Sequence, residues 1–351
     1  MAGILKKFSK HLPHEAVETD AGKAATASAA PFRGYLASVL SGMLGALAAF
    51  YGALLLLQST DNLPPPAFSN SLCIDEKLSF MREHPAGSPN LLVIGSSVAW
   101  RHFDGATVAA QSKGTIKPLN GAFCGLHANQ SVFTAHWLLD RQPAVRQVVL
   151  MASPQDFSEC SINREAVFNR QDADDYVYGG ASAWPYYLRY FSPVSLLGNA
   201  RRVNDKRTNR VALDPLVFTA FGDGPINTAD SLHGLGYGRP EPLDPACFEA
   251  LESLAQRLQK EGRQFTVVSS PLHPEWKATQ DASGAFINDF DTRLAEALKP
   301  TRARFWDADS EWKTANASFT DALHLRWSAA QDFSAALAKQ LESAGAAPFK
   351  P

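Results

Sequence analysis

The sequence predicts an α/β fold: a three-layer α/β/α domain built on a parallel sheet, interrupted by a large insertion and preceded by one transmembrane helix. Three observations carry that expectation. Residues 34–60 contain no charged side chain. Beyond them, short apolar runs of buried-strand character recur at 91–94, 145–151, 265–268 and, more weakly, 303–306. Helical patterns lie between these runs, and strands alternating with helices give a parallel sheet covered on both faces. In such sheets a binding site forms at the carboxyl ends of the strands.

Taken in order, the chain opens with a segment, 1–33, in which Lys6, Lys7, Lys10, Lys23 and Arg33 outnumber Glu15, Glu18 and Asp20. The charge-free run that follows is longer than the ~20 residues needed to cross a hydrocarbon core as a helix. A positive excess before the span favours a cytoplasmic N-terminus. A cleaved signal peptide is the rival reading. The apolar run is too long for one and no small-x-small site follows it, so an uncleaved single-pass anchor at 34–58 is expected. That puts the rest of the chain on the periplasmic or extracytoplasmic side of the cytoplasmic (inner) membrane. Ser38, Gly42 and Ala46 stand four residues apart, a spacing that permits close helix packing. Residues 59–72, with Pro64-Pro65-Pro66, read as a stiff linker. The soluble domain is expected over 73–345.

Within it, a small amphipathic helix is predicted at 74–83, stopped by the turn-rich stretch 85–89, and another at 129–139. The clearest helix starts at Asp244-Pro245, an N-cap followed by proline in the first turn, and ends at Glu261-Gly262. Phe248, Leu251, Leu254 and Leu258 form its buried stripe. A further helix spans 285–298 and stops before Pro300. The last runs from Ser328 to near Gly345 with Phe333, Leu337 and Leu341 inward.

Residues 160–243 break the alternation. They are rich in aromatics (Tyr176, Tyr178, Trp184, Tyr186, Tyr187, Tyr190), then in arginine and lysine, then in Gly and Pro. This is the expected insertion, a cap over the site. Its aromatics serve either its own small core or, as a sharper alternative, sugar stacking or membrane contact. Gly234-Leu235-Gly236-Tyr237-Gly238 imitates a phosphate loop, but no strand precedes it and it is set aside.

Composition excludes some function classes. A formal net charge of -2 leaves no basic footprint for a nucleic-acid partner. No His, Cys or carboxylate group stands at metal-ligand spacing, so neither a metal nor another cofactor is implied. Four cysteines, Cys73, Cys124, Cys160 and Cys247, fit two disulfides in an oxidising compartment and allow three pairings. Buried free thiols are the equal alternative.

Two short motifs carry the chemistry. The run 91–94 ends in Gly95-Ser96-Ser97, where glycine keeps the turn tight and a hydroxyl can be lifted off the sheet edge. Asp321-Ala322-Leu323-His324 precedes the last helix, and that spacing lets the carboxylate hold one imidazole nitrogen while the other faces a serine. A hydroxyl, an imidazole and an orienting carboxylate are the parts of a serine esterase or acyltransferase. His102, His127 and His273 lie near these motifs. The first two are candidates for supporting positions, and His273 is left outside the catalytic set.

On these residues the chain resembles the SGNH/GDSL hydrolase superfamily, whose nucleophile follows the first strand and whose Asp-x-x-His precedes the last helix. Gly95-Ser96-Ser97 with Arg101 and Asp104, and Ser153-Pro154-Gln155, resemble the corresponding regions of DltD, the teichoic-acid D-alanylation family. The overall layout is similar to the alginate O-acetylation proteins AlgJ and AlgX. The resemblance covers about residues 90–341. It implies Ser97 as nucleophile, His324 as general base and Asp321 as its orienting partner. Asn120-Gly121-Ala122-Phe123-Cys124-Gly125 resembles the block whose glycine amide holds the oxyanion, which falls to Gly125. Gln155 stands where the superfamily carries an oxyanion asparagine, and Val98 replaces the glutamate of DltD. The implied function is transfer of a small acyl group, acetyl first, to a cell-envelope or exported polysaccharide. The partner implied is a multi-span membrane acyltransferase or other acyl-donor system. Ester hydrolysis, D-alanyl transfer or removal, and a non-catalytic scaffold or binding subunit of an export complex are the alternatives.

Overall fold

The computed structural model describes residues 29–345 apart from 213, 228–234 and 239–240. The expected cytoplasmic segment lies outside the described residues up to position 28, as does Gly234 of the set-aside glycine motif. The chain divides into two compact units, Met1–Leu56 and Leu57–Pro351.

Helix α1, Ala29–Ser59, is long and apolar enough to cross a membrane. At 1.5 Å per residue its 31 residues extend for about 46 Å, more than the ~30 Å of a bilayer core. Leu36, Leu40, Met43, Leu44 and Leu47 on it are exposed, which in water would be an unsupported apolar surface.

The second unit is built on a five-stranded parallel sheet in the order β2-β1-β3-β4-β5, with β1 Leu91–Gly95, β2 Pro118–Asn120, β3 Gln147–Ala152, β4 Gln264–Ser269 and β5 Arg304–Asp307. The strand direction alternates side chains between two faces. Leu92, Ile94, Val148, Leu150, Phe265 and Val267 enter one core with Trp137, Leu251, Leu254 and Phe290. Leu91, Val93, Val149, Met151 and Val268 enter another with Trp100, Phe333 and Leu337. Helices α5 (Ala128–Arg141), α10 (Pro245–Lys260) and α12 (Ala285–Leu298) therefore cover the first face. Helices α3 (Ser97–His102), α4 (Gly105–Gln111) and α13 (Trp327–Gly345) cover the second. The expected three-layer α/β/α architecture is the one observed.

Local differences have physical reasons. Strand β2 was not anticipated: it is three residues long, starts with proline and lies at the sheet edge, where a missing N–H is harmless. Strand β3 begins at Gln147 because Val145 closes the preceding turn, donating its N–H to Gln142 O at 3.2 Å. Helix α2, Leu72–Glu83, starts two residues ahead of the sequence expectation. The short α3 and α4 carry too few turns to show a period.

All four cysteines are bonded, as Cys73–Cys124 and Cys160–Cys247, so the free-thiol alternative is wrong. The first bridge ties α2 to the loop after β2. The second ties the turn region after β3 to the start of α10.

Among its described residues the insertion forms four short helices, α6 (Arg170–Val177), α7 (Trp184–Arg189), α8 (Pro193–Ala200) and α9 (Val203–Thr208). Tyr176, Tyr186 and Tyr190 close around Phe68 with ring centroids 4.8–5.1 Å away. At these positions the aromatic enrichment is core packing. Phe68 comes from the segment expected to be a linker, and Pro64, Pro65 and Pro66 are buried with it. The Tyr187 hydroxyl donates to Pro64 O at 2.7 Å. The segment is thus fastened to the domain.

The bridges close loops spanning 51 and 87 residues of sequence, and each constrains the unfolded chain by about 4 kcal/mol in the loop-entropy description. Reduction should lower the thermal midpoint by several degrees. The check is an unfolding scan of the full chain in detergent with and without reductant; superimposable scans would mean that the bridges contribute nothing.

Candidate active site

Because the chain runs from β1 outward to β2 and then returns past β1 to β3, the sheet has its switch point between β1 and β3, the place where such folds open a crevice. The segments leaving those two strands are 95–102 and 153–157. Both sequence motifs with serine fall here.

Gly95 makes the first turn. It has φ +138, and a Cβ on it would meet Met151 O at 2.6 Å and the Ala99 side chain at 2.8 Å. Ser96 then caps α3, its hydroxyl accepting from Val98 N at 3.2 Å. That leaves Ser97 at the first helical position, half-exposed, with its own hydroxyl turned elsewhere. Ser97 Oγ lies 2.9 Å from His324 Nε2, and His324 Nδ1 lies 2.8 Å from Asp321 Oδ2. The other Asp321 oxygen accepts two backbone N–H groups, from Leu323 at 2.7 Å and His324 at 2.8 Å. The structure therefore brings together the three residues that sequence reasoning singled out.

The electrostatics follow from these bonds. Burial alone would raise the pKa of Asp321, but the adjacent His324 and the two amides outweigh it and hold the carboxyl well below its ordinary range. Asp321 is thus an acceptor throughout, and the Nδ1 that faces it carries the proton. Nε2 is left as the acceptor for the Ser97 hydroxyl.

The loop carrying His324 is held from several sides. Leu325 N donates to His102 Nε2 at 3.0 Å, with the His102 ring 6.4 Å from that of His324. Burial pushes His102 down to about 3, so it stays neutral with its proton on Nδ1. His273, buried here contrary to the usual habit of loop histidines, caps α11 (Pro274–Gln280) by accepting from Glu275 N at 3.1 Å. Its own N–H donates to Ala322 O at 3.1 Å. His127 precedes α5 and contacts Asn163 at 3.2 Å, away from this loop.

The two expected oxyanion donors stand differently. Gln155 sits in a 3-10 turn, Pro154–Phe157, directly after β3. Both its amide oxygen and its amide nitrogen are buried with no hydrogen-bond partner among the described residues, a costly arrangement for a side chain without a task. Gly125 lies in the loop after β2, exposed and with φ +66, next to the disulfide-bonded Cys124. Among the described residues, neither makes a hydrogen bond to Ser97.

Two neighbours, Asp156 and Tyr237, escaped sequence reasoning, and a third, Arg101, was named there only as part of the resemblance and given no role. Asp156, beside Gln155, accepts from Ser153 N at 3.1 Å, and burial raises its carboxyl to about 6 against the pull of the Ser96 hydroxyl. The Ser-x-x-Asp spacing at 153–156 was the available signal. Tyr237, in the glycine-rich stretch set aside above, has its ring centroid 6.3 Å from that of His324, and its hydroxyl is pushed by burial up to about 12. Arg101, one turn after Ser97 on α3, buries its guanidinium over the Trp100 ring at 4.0 Å. It donates to Pro215 O at 3.0 Å and Gly224 O at 3.3 Å, and burial lowers it to about 10.

No known family model matches the chain, and no curated protein sequence matches it.

His102 supplies a pH test. Its folded value of about 3 lies below the ordinary 6.5, so the unfolded chain takes a proton that the folded chain refuses. Its contribution to stability is full above pH ~6.5 and falls as the pH drops from there towards 3. The destabilisation caused by His102→Gln should therefore shrink on acidification. Urea unfolding of both proteins at several pH values measures it, and a pH-independent difference would sink the assignment. A second expectation concerns Gly95→Ala, which should cost on the order of 3 kcal/mol from backbone strain and the Met151 clash. An unchanged urea midpoint would contradict it.

Proposed function

We propose that this protein is a membrane-anchored, extracytoplasmic serine acyltransferase of the SGNH type that transfers a small acyl group, acetyl first, to a cell-envelope or exported polysaccharide. The observation that carries the reading is the continuous relay from Ser97 Oγ through the His324 ring to Asp321. In that relay His324 Nε2 takes the Ser97 proton as Oγ attacks the donor carbonyl carbon. The tetrahedral intermediate expels the donor's leaving group, which takes the proton back from His324, and the acyl group remains on Ser97. An acceptor hydroxyl then attacks the acyl-serine, with His324 again collecting the proton; the acyl–Oγ bond breaks, His324 returns the proton to Ser97 Oγ, and the acylated acceptor leaves.

The backbone N–H groups of Ser97 and Gly125 and the Gln155 amide are the donors assigned to the developing oxyanion. The unpartnered state of the Gln155 amide supports its part, since a donor already bonded elsewhere could not turn to a transient charge. Two disulfides support an oxidising compartment, and α1 supports a membrane anchor. A multi-span membrane acyltransferase that delivers the acyl group across the bilayer is the partner this reading calls for.

The test is acylation by p-nitrophenyl acetate followed by mass spectrometry. Acetyl should appear on Ser97, and turnover should fall by on the order of 10⁶ in Ser97→Ala or His324→Ala and about 10⁴ in Asp321→Asn. Gln155→Ala should lower kcat by about 10²–10³ with a smaller change in KM. Full polymer acylation in cells expressing Ser97→Ala would favour the scaffold alternative instead.

A further inference from the structure

Among the described residues of the second unit, most large exposed apolar side chains fall in one stretch. Leu188 is 44% exposed, Phe191 51%, Val194 83% and Leu197 59%, while Ile162, Val211 and Tyr237 stand elsewhere. Val194 and Leu197 stand three residues apart on α8 and so share one of its sides, while Leu188 lies at the end of α7 and Phe191 in the short link between the two helices. Helix α8 buries only Asn199 and Ala200, although its sequence, PVSLLGNA, is largely apolar. Its Leu196 is half-buried beside Pro64 and Pro65, whereas Val194 and Leu197 are left in solvent with no cover among the described residues.

The chain itself says what that partner is. Helix α1 ends at Ser59, and five residues later Pro64 is held by the Tyr187 hydroxyl on α7. A step of that length spans at most about 18 Å. Gln58 and Asp61, at the foot of α1, line a cleft of about 430 Å³ together with Trp184 and Tyr187 at the start of α7. Pro64 and Pro65 line a neighbouring small cleft with Phe191 and Leu196. The α7–α8 segment is therefore fixed close to the point where the chain leaves α1. Directly after α8 come Arg201 and Arg202, both exposed. An apolar face with an aromatic start and a basic end is the composition of an element lying in a membrane interface, with arginines among anionic headgroups.

We infer that the exposed side of α8 carrying Val194 and Leu197, next to Leu188 at the end of α7, lies on the lipid bilayer surface, giving the catalytic unit a second membrane contact besides its anchor. This rests on the reading of α1 as a membrane span. Such a contact limits the tumbling of the domain about its tether and keeps one side of the unit at the headgroup level, where a membrane-bound acyl donor is presented.

The test uses the full chain with an environment-sensitive fluorophore on a single introduced cysteine, in vesicles of phosphatidylethanolamine and phosphatidylglycerol containing spin-labelled lipids. Three label sites are compared: Val194→Cys on α8, Gln256→Cys on α10, and Ala46→Cys within α1. A label at 194 should be quenched by shallow spin labels about two-fold or more than one at 256, and 46 by deep ones. Quenching at 46 with none at 194 overturns the surface contact and leaves the anchor intact. No quenching at 46 removes the anchor and the contact with it. A label at 194 that is dry only in native membranes, and unquenched in pure vesicles, overturns the lipid assignment in favour of a protein partner. The double variant Val194→Asp/Leu197→Asp, labelled at Ser195→Cys, should lose the shallow quenching; its retention would also overturn the proposal.

Discussion

Gly95 has room for a hydrogen atom and nothing larger. The parallel pairing of β1 with β3 sets Gly95 opposite Met151, and the chain must turn there at once because α3 begins two residues later. A side chain would strike the Met151 carbonyl, and a non-glycine residue would resist φ +138. The tight turn places Ser96 as the helix cap, which occupies that hydroxyl, and presents the next hydroxyl, that of Ser97, at the open edge. The choice between two adjacent serines is thus made by backbone geometry. One is bound to the helix end and the other is left with His324.

The second half of the site depends on a short loop that would not hold its shape alone. Thr320 N donates to His324 O at 2.8 Å, and Phe319 bridges to Leu325, closing a narrow hairpin around Asp321. Asp321 fills that hairpin, spending one oxygen on backbone amides and the other on the imidazole. His273 and His102 then fix the loop from outside through Ala322 O and Leu325 N. His102 comes from α3, the helix that begins with Ser97, so Ser97 and the His324 loop share a support. A histidine kept neutral by burial suits that position, since a charged ring beside His324 would oppose any proton His324 takes up.

Much of this was legible because it rests on local chemistry. Buried parallel strands read as unbroken apolar runs, and β1, β3 and β4 did. Asp321 and His324 are three residues apart and close in sequence to a helix start, so their relation needs no knowledge of the fold. What was hidden depends on contacts across the chain. Strand β2 is specified by pairing with β1 rather than by three residues of its own. The disulfide pairing is decided by which loops meet at the sheet edge. Tyr237 looked like part of a glycine-rich turn because nothing nearby in sequence indicates that His324 is its neighbour. Asp156 was passed over beside Gln155 because a capping carboxylate and a site carboxylate look identical in one dimension.

The insertion also gains a meaning that composition could not give. Its stretch 215–224 is fastened to the helix that begins with Ser97: Arg101 donates to Pro215 and Gly224 carbonyls, Trp100 Nε1 donates to Gly222 O at 3.1 Å, and Gly224 N returns a bond to Trp100 O at 2.9 Å. Lys77 of α2 reaches the same Gly222 carbonyl, and Asp223 accepts from Gly105 N at 2.9 Å at the start of α4. Burial lowers Lys77 against the pull of Asp223, and burial raises Asp223 against the Gly105 N–H, the Thr219 hydroxyl and then Lys77. Loss of Asp223 would leave the Lys77 charge buried without the carboxylate that offsets it. The segment that leads towards Tyr237 therefore starts from a fixed point on the site's own scaffold, and a displacement of residues 215–224 would be felt directly at the helix holding Ser97.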